Sequence, residues 1–468
     1  MIMQKNIWTK VGFILSIVLW CAITLIRIFH HTPWYDEAHA WTIAQELNIF
    51  ELFKFLKTEG HTFLWYVLLM PFAKTNFMYP YSMQLLNWIF CFSALLIFWL
   101  KAPFNNWVKC FITFSFPFVA VYSVLARCYA IGILFLFILI SMDKDKLKHP
   151  NWYSFLLILL ANTSLMGSVP AAVLGVRFAY EMIKNKQKLI IPFSIAIFGA
   201  ILVLLPLVGS VEAGLSAYQT KRSLFVAIYT HLTYNSFYVW TFYSLISLSL
   251  AIVFYIKNKI FPTFFFFSML LLTGIFCIYS GSLWHLFFMY IYFISSCWLI
   301  FQKEDLKCKN LITLALIVIS IPSLIYHPVK KDADIVYKNN IGHIVEEIQH
   351  DKGLENSTIM IFRQFDTAIQ PYFYKKDITL VNYCSADLLS YNTIDYVNSK
   401  NCLLDLVLEN QLISLDNKVF DKWYNDNLYL LTLNKIQLND NGSNKLNYQF
   451  SLYKDYGRNY LWKVKKIR

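Results

Sequence analysis

Asp36 and Glu37 stand side by side in His31-Thr-Pro-Trp-Tyr-Asp-Glu-Ala-His-Ala-Trp41, directly after the first apolar run of the chain. A carboxylate so placed can take a proton from a substrate hydroxyl. His39 follows within one helical turn, and Glu59 and His61 come some twenty residues later. Further along, Arg127 and Tyr129 sit at the junction of two apolar runs, Lys221 and Arg222 lie in a polar connection, and Trp284-His285 opens a late apolar run. Each has an ordinary reading as well. Two acids at a helix start suit the macrodipole, and Pro33 just upstream suits such a start. Arg127 could snorkel to an interface, as could Arg177, while His61 and His285 could be hydrogen-bonded core residues. Lys221-Arg222 could be loop charge.

The elements that must position these residues are membrane helices. The 468 residues are 57% hydrophobic, 18% aromatic and only 15% charged, with a mean hydropathy of +0.48, a composition of multi-spanning membrane proteins. A bilayer core needs about 20 apolar residues per helix. Such runs recur at 11–29, 81–100, 110–126, 127–142, 151–166, 168–183, 189–209, 238–256, 261–280, 283–301 and 310–327, predicting eleven spans. No small-residue cleavage site follows the first run, which is therefore expected to be retained as a helix.

With the amino terminus inside, the inner loops carry Lys5 and Lys10, Lys101 and Lys109, Lys144 to Lys148, Lys184 to Lys188, Lys257 and Lys259, and Lys303 to Lys309. That distribution follows the positive-inside rule. The apolar segment 61–73 is short for a span. Were it to cross, every later loop would change sides, so residues 30–80 are expected to form one long external loop. The net charge of +13 is thus a topology signal facing anionic lipid, and no nucleic-acid partner is expected. Seven of nine cysteines fall in or beside apolar runs. Cys384 and Cys402 lie in the polar tail and could pair outside the cell, and no spacing suggests a metal site.

From about residue 328 the composition turns polar. Residues 357–362 and 377–382 read as strands, and the apolar positions Ile335, Val336, Ile341, Ile344, Val345 and Ile348 read as a helix. The expected architecture is an α-helical polytopic module over 1–327 with a small α/β domain over 328–468, outside the cell. On this topology Asp36, Glu37, His39, Glu59, His61, Arg127, Tyr129, Lys221, Arg222 and His285 all belong to the outer face.

Taken together, Trp34-Tyr-Asp-Glu-Ala-His-Ala-Trp-Thr-Ile-Ala44, Glu59-Gly-His-Thr-Phe-Leu-Trp-Tyr66 and Ala126-Arg-Cys-Tyr129 resemble the multi-spanning glycosyltransferases of the GT-C class. More narrowly, they resemble the bacterial branch related to protein O-mannosyltransferases and the lipid A aminoarabinose transferase (glycosyltransferase family 39-like). The likeness covers residues 10–330 in architecture and only these short segments in sequence. It implies Asp36 as the general base, Glu37 as its acidic neighbour, and His61 as the opening of a segment that in the family often reads His-Pro-Pro-Leu-Tyr. Thr62 and Phe63 replace those prolines here, and Trp284 stands where some relatives carry an arginine. Arg127, or Lys221 with Arg222, would then have to meet the lipid phosphate.

The resemblance implies a polyprenyl-phosphate sugar donor, a glycan, glycolipid or protein acceptor, and inversion in one displacement. It also implies the plasma (inner) membrane as the location, with the active face extracytoplasmic. Catalysis is expected to rest on Asp36 and Glu37, with His39, Glu59, His61, Arg127, Tyr129, Lys221, Arg222 and His285 binding substrate. No cofactor or metal is expected. The competing classes are a lipid-linked sugar transporter or flippase and an O-antigen polymerase or ligase. The first would line a path with intramembrane charges, which most runs here lack. The second usually places its active loop late in the chain.

Overall fold

In a computed structural model, the described residues are 2–33, 35–59, 61–218, 260–278, 283–302, 309–329, 341–361, 369–382, 387–388, 417–432, 447–456 and 459–467. They form two compact units. The first comprises Met1–His31, Ile49–Leu68 and Met83–Val336, and the second Thr32–Asn48, Leu69–Ser82 and Tyr337–Arg468. Chain order and spatial grouping therefore differ, because the acid-bearing stretch 32–48 belongs with the C-terminal domain.

The helices run as α1 (Ile2–Phe29), α2 (Tyr35–Glu46), α3 (Ile49–Glu59), α4 (Leu64–Ala73), α5 (Tyr81–Lys101), α6 (Asn106–Thr113), α7 (Tyr129–Ser141), α8 (Pro150–Ala161), α9 (Leu165–Lys184), α10 (Ile190–Tyr218), α11 (Ile260–Ile278), α12 (Leu283–Phe301) and α13 (Lys309–Val329). Among the described residues, three stretches are long and apolar enough to cross a membrane: Val11–Phe29, Tyr81–Lys101 and Trp284–Phe301. The outer face of the first suits lipid, since Ile14, Leu15, Val18 and Ile26 of α1 are more than half exposed, a row of apolar side chains that water would disfavour.

Several expected spans take another form. The run 110–126 is not one helix: α6 ends at Thr113, and a π-helical turn occupies Pro117–Val121, closed by Tyr122 N donating to Pro117 O at 2.7 Å. Pro117 has no N–H to continue an α ladder, which breaks the helix where hydropathy alone predicts continuity. Runs 127–142 and 151–166 yield helices of only 13 and 12 residues, and α8 stops at the Asn162-Thr163-Ser164 break. There Ser164 Oγ accepts from Gly167 N at 3.1 Å and caps α9. Run 238–256 lies outside the described residues, as do Cys384 and Cys402. Segment 61–73 contributes only the ten-residue α4.

Irregular backbone in an apolar setting needs partners for its polar groups. Asn87 Nδ2 of α5 donates to Tyr122 O at 3.0 Å, and Trp20 Nε1 of α1 donates to Phe118 O at 3.2 Å. All residues from Ser115 to Arg127 are buried. At another corner of this unit Arg177 does not snorkel. It joins Asp143 at 2.9 Å and Glu181 at 3.0 Å, while Lys146 joins Asp143 at 2.8 Å and Glu181 at 2.9 Å, closing a ring of two cations and two anions.

The second unit carries a six-stranded mixed sheet of order β3-β2-β1-β4-β6-β5, built from β1 (Thr358–Ile361), β2 (Thr379–Asn382), β3 (Asp387–Leu388), β4 (Leu428–Thr432), β5 (Tyr448–Asp455) and β6 (Tyr460–Lys466). Strands β1 and β2 fall within the two segments read as strands from sequence, and α14 (Ile341–His350) falls in the predicted amphipathic stretch. Strand β1 pairs in parallel with both β2 and β4, so it is central, and it is buried throughout. Side chains alternate across the pleat. Ile359 and Ile361 pack with Ile344 and Ile348 of α14, while Met360 packs with Phe420 of α15 (Asn417–Trp423) on the other face.

Candidate functional site

In the second unit, α2 opens on its acids. Tyr35, Asp36 and Glu37 form its first turn, where the N-terminal partial positive charge favours carboxylates. The two acids differ in setting. Glu37 is fully buried (0% exposed) and Asp36 is half-buried. His39 is buried, and its ring stacks on Tyr35 at 6.2 Å.

Two phenols of this unit are raised above their ordinary values. The Tyr79 phenol is raised well above its ordinary value by burial first, then by Tyr372 and the Glu37 carboxylate. That of Tyr372 is raised by burial, with Tyr81 and Glu37 adding to it. The buried Tyr79 hydroxyl has no hydrogen-bond partner among the described residues. Sequence reasoning missed Asn76, Tyr79 and Tyr372, whose only signal was their aromatic or amide type.

In the first unit, the turn after the π-helical break presents Arg127 and then Tyr129 at the start of α7. Arg127 is buried, at 7% exposure, so it does not snorkel. Its Nη2 lies 3.1 Å from His61 Nε2. A guanidinium carries donors only. His61 Nε2 must therefore accept, which places the proton of the neutral imidazole on Nδ1. Thr62 Oγ1 fastens this segment by donating to Asn162 O at 2.8 Å, so the turn that lacks the family's prolines is held by a side-chain hydrogen bond.

Tyr129 and His285 form a second pair in the same unit, with Oη and Nε2 2.8 Å apart and their rings edge to face at 5.4 Å. Tyr122, from the turn after the π-helical segment, donates to Trp284 O at 2.9 Å. The break in the apolar run is therefore what brings Tyr122, Arg127 and Tyr129 onto α12 and the His61 segment. Sequence patterning missed Tyr122. Ser115 and Pro117 inside an apolar run were the available signal for the break.

Placement of the expected site residues is then as follows. Asp36, Glu37 and His39 are in the second unit, and His61, Arg127, Tyr129 and His285 are in the first as two hydrogen-bonded pairs. Glu59 ends α3, with its side chain outside the described residues, and Lys221 and Arg222 lie outside them too. Among the described residues, no group of three or more His, Cys, Asp or Glu side chains is arranged to hold a metal ion. No family model matches the chain, and neither does any curated protein or solved structure.

Proposed function

We propose that this chain is an integral-membrane inverting glycosyltransferase that moves a sugar from a polyprenyl-phosphate donor to an extracytoplasmic glycan, glycolipid or protein acceptor. The observation that carries the reading is the acid pair on the first turn of α2, one carboxylate buried and one half-open, directly following a helix apolar enough to cross a membrane. Asp36, the accessible acid, takes the proton of the acceptor hydroxyl as its oxygen attacks the anomeric carbon. The bond from that carbon to the phosphate oxygen breaks, and the lipid phosphate leaves with its electron pair.

A cation near the departing phosphate stabilises its charge. Arg127 is the first choice, with Lys221 and Arg222 next. Its hydrogen bond to His61 supports the role, because a fixed guanidinium needs little reorganisation. Glu37, His39, Glu59, His61, Tyr129 and His285 would position the acceptor, the donor or the base. The eleven-span topology, with amino terminus cytoplasmic and acid face extracytoplasmic in the inner membrane, belongs to the same proposal.

The test is transfer of labelled sugar from a mixed pool of polyprenyl-phosphate sugars in membranes carrying wild type or Asp36→Asn at matched protein levels. Loss of transfer by about 100-fold or more in the variant is expected for removal of a general base. Equal transfer would remove Asp36 from that role. No transfer by either protein, with label instead crossing the bilayer, would favour a lipid-linked sugar transporter.

A further inference from the structure

In the second unit α2 is fastened at three points by residues that the glycosyltransferase reading does not use. Asn76 is the hub of the first. Its Oδ1 accepts from Trp41 Nε1 at 3.0 Å and from Gln45 Nε2 at 3.3 Å, and its Nδ2 donates to Pro371 O at 3.0 Å. Gln370 Nε2 makes the second point, donating to Glu46 Oε1 at 2.8 Å. The third is a series of rings, Trp41 to Tyr79 at 5.0 Å and Tyr79 to Tyr372 at 4.8 Å.

Gln370, Pro371 and Tyr372 are consecutive in one 3-10 turn, Gln370–Phe373, which lies between β1 and β2 in sequence. Its Phe373 is buried in the sheet core with Ile359 and Leu380. The turn is thus tied to the domain's hydrophobic core. On the other side, Asn76 holds a left-handed backbone, φ 51°, which asparagine adopts more readily than most residues.

Helical geometry gives this fastening a consequence. Glu37, Trp41 and Gln45 are spaced four residues apart and share one face of α2. Fixing Trp41 and Gln45 holds that face in place, and Glu37 with it, in a helix whose residues 37–45 are all buried, while Asp36 on the first turn is half-buried.

We infer that the Gln370–Phe373 turn, acting through Asn76 and Glu46, is a positioning clamp that holds α2, and with it the acid pair on its first turn, in the place that transfer requires. The inference rests on the proposed role of Asp36 in transfer. It makes the C-terminal domain part of the acid site rather than an appended module.

Full-length protein in lipid nanodiscs, as wild type, Asn76→Asp, Gln370→Glu and Glu46→Gln/Gln370→Glu, tests this by two measurements. Asn76→Asp keeps the acceptor for Trp41 and Gln45 and removes only the donor to Pro371, so it should fold. Hydrogen exchange of residues 35–46 should quicken at least tenfold in both single variants, with α14 and the sheet unchanged, and return to the wild-type rate in the double variant, where donor and acceptor are exchanged. Transfer should fall at least tenfold in kcat with KM for donor and acceptor unchanged, and recover in the double variant.

Unchanged exchange over 35–46 in both single variants overturns the clamp whatever the activity. So does unchanged kcat in an active enzyme. Quickened exchange in a protein whose wild type transfers no sugar would keep the clamp and reject the transferase reading, so the two failures are told apart.

Discussion

At His61 a single contact decides a protonation state. Because Arg127 Nη2 can only donate, the 3.1 Å contact makes Nε2 the acceptor and leaves the ring neutral. Arg127→Ala would remove the guanidinium proposed to meet the leaving phosphate. Its kcat is expected to fall by about 100-fold, the scale of losing one preorganised oxyanion donor, and single-turnover transfer with saturating donor measures it. Tyr129→Phe is a milder change. It deletes one buried hydrogen bond to His285, so a loss of about 1 kcal/mol in stability is expected, read from the thermal midpoint in detergent. The residue types of both pairs were legible in the sequence. Their pairing was not, because Arg127 is 66 positions from His61 and Tyr129 is 156 from His285, and no pattern encodes such separations.

At the scale of elements, close helix approach and paired charge hold the first unit together. A Cβ on Gly167 would meet Leu160 O of the backbone at 2.5 Å, and one on Gly132 would meet Thr163 Oγ1 at 2.9 Å. Backbone cannot give way as a side chain can. Gly167→Ala is therefore expected to destabilise the protein by about 1–3 kcal/mol, as overpacked sites do, lowering the thermal midpoint while Gly274→Ala, which meets nothing, does not. The ring of Asp143, Lys146, Arg177 and Glu181 is sensitive in another way. Arg177→Ala leaves Asp143 and Glu181 facing Lys146 alone, with a net negative charge in a partly enclosed site, and a cost of about 3 kcal/mol is expected. Chemical denaturation measures it, and Glu181→Gln added to Arg177→Ala should recover part of the loss by restoring neutrality.

Over the whole molecule, tyrosines raised above their ordinary range are expected to set the alkaline limit of the second unit. Burial raises Tyr79, Tyr372 and Tyr456, and burial with the Asp351 hydrogen bond pushes Tyr453 up to about 12. A folded pKa above the unfolded value of about 10 favours the folded state while the group is protonated. That stability is therefore complete below about pH 10 and is lost as pH rises through the folded values. Ultraviolet difference titration is expected to show a late class of tyrosines that ionises together with loss of the β-sheet circular dichroism signal. A titration of all tyrosines in one early step would contradict it. The proposed topology has its own check, since a reporter fused to the carboxyl terminus should be active outside the cell.

Composition and apolar run length by themselves determined that the chain is largely helical and apolar enough to enter a membrane, and period-two and period-3.6 patterns located strands β1 and β2 and helix α14. These are local properties, settled by transfer free energy and backbone geometry within a few turns. The acid pair was likewise visible at once, because charge stands out beside an apolar run. Tertiary structure alone decided that run 110–126 breaks at Pro117, since the broken backbone persists only where Asn87 and Trp20, distant in sequence, satisfy its carbonyls. It alone decided that residues 32–48 join the C-terminal unit. And it alone separated the two acids, burying Glu37 and leaving Asp36 half-buried at the start of the helix, because the burial of a short helix is set by what packs on it and not by its own residues.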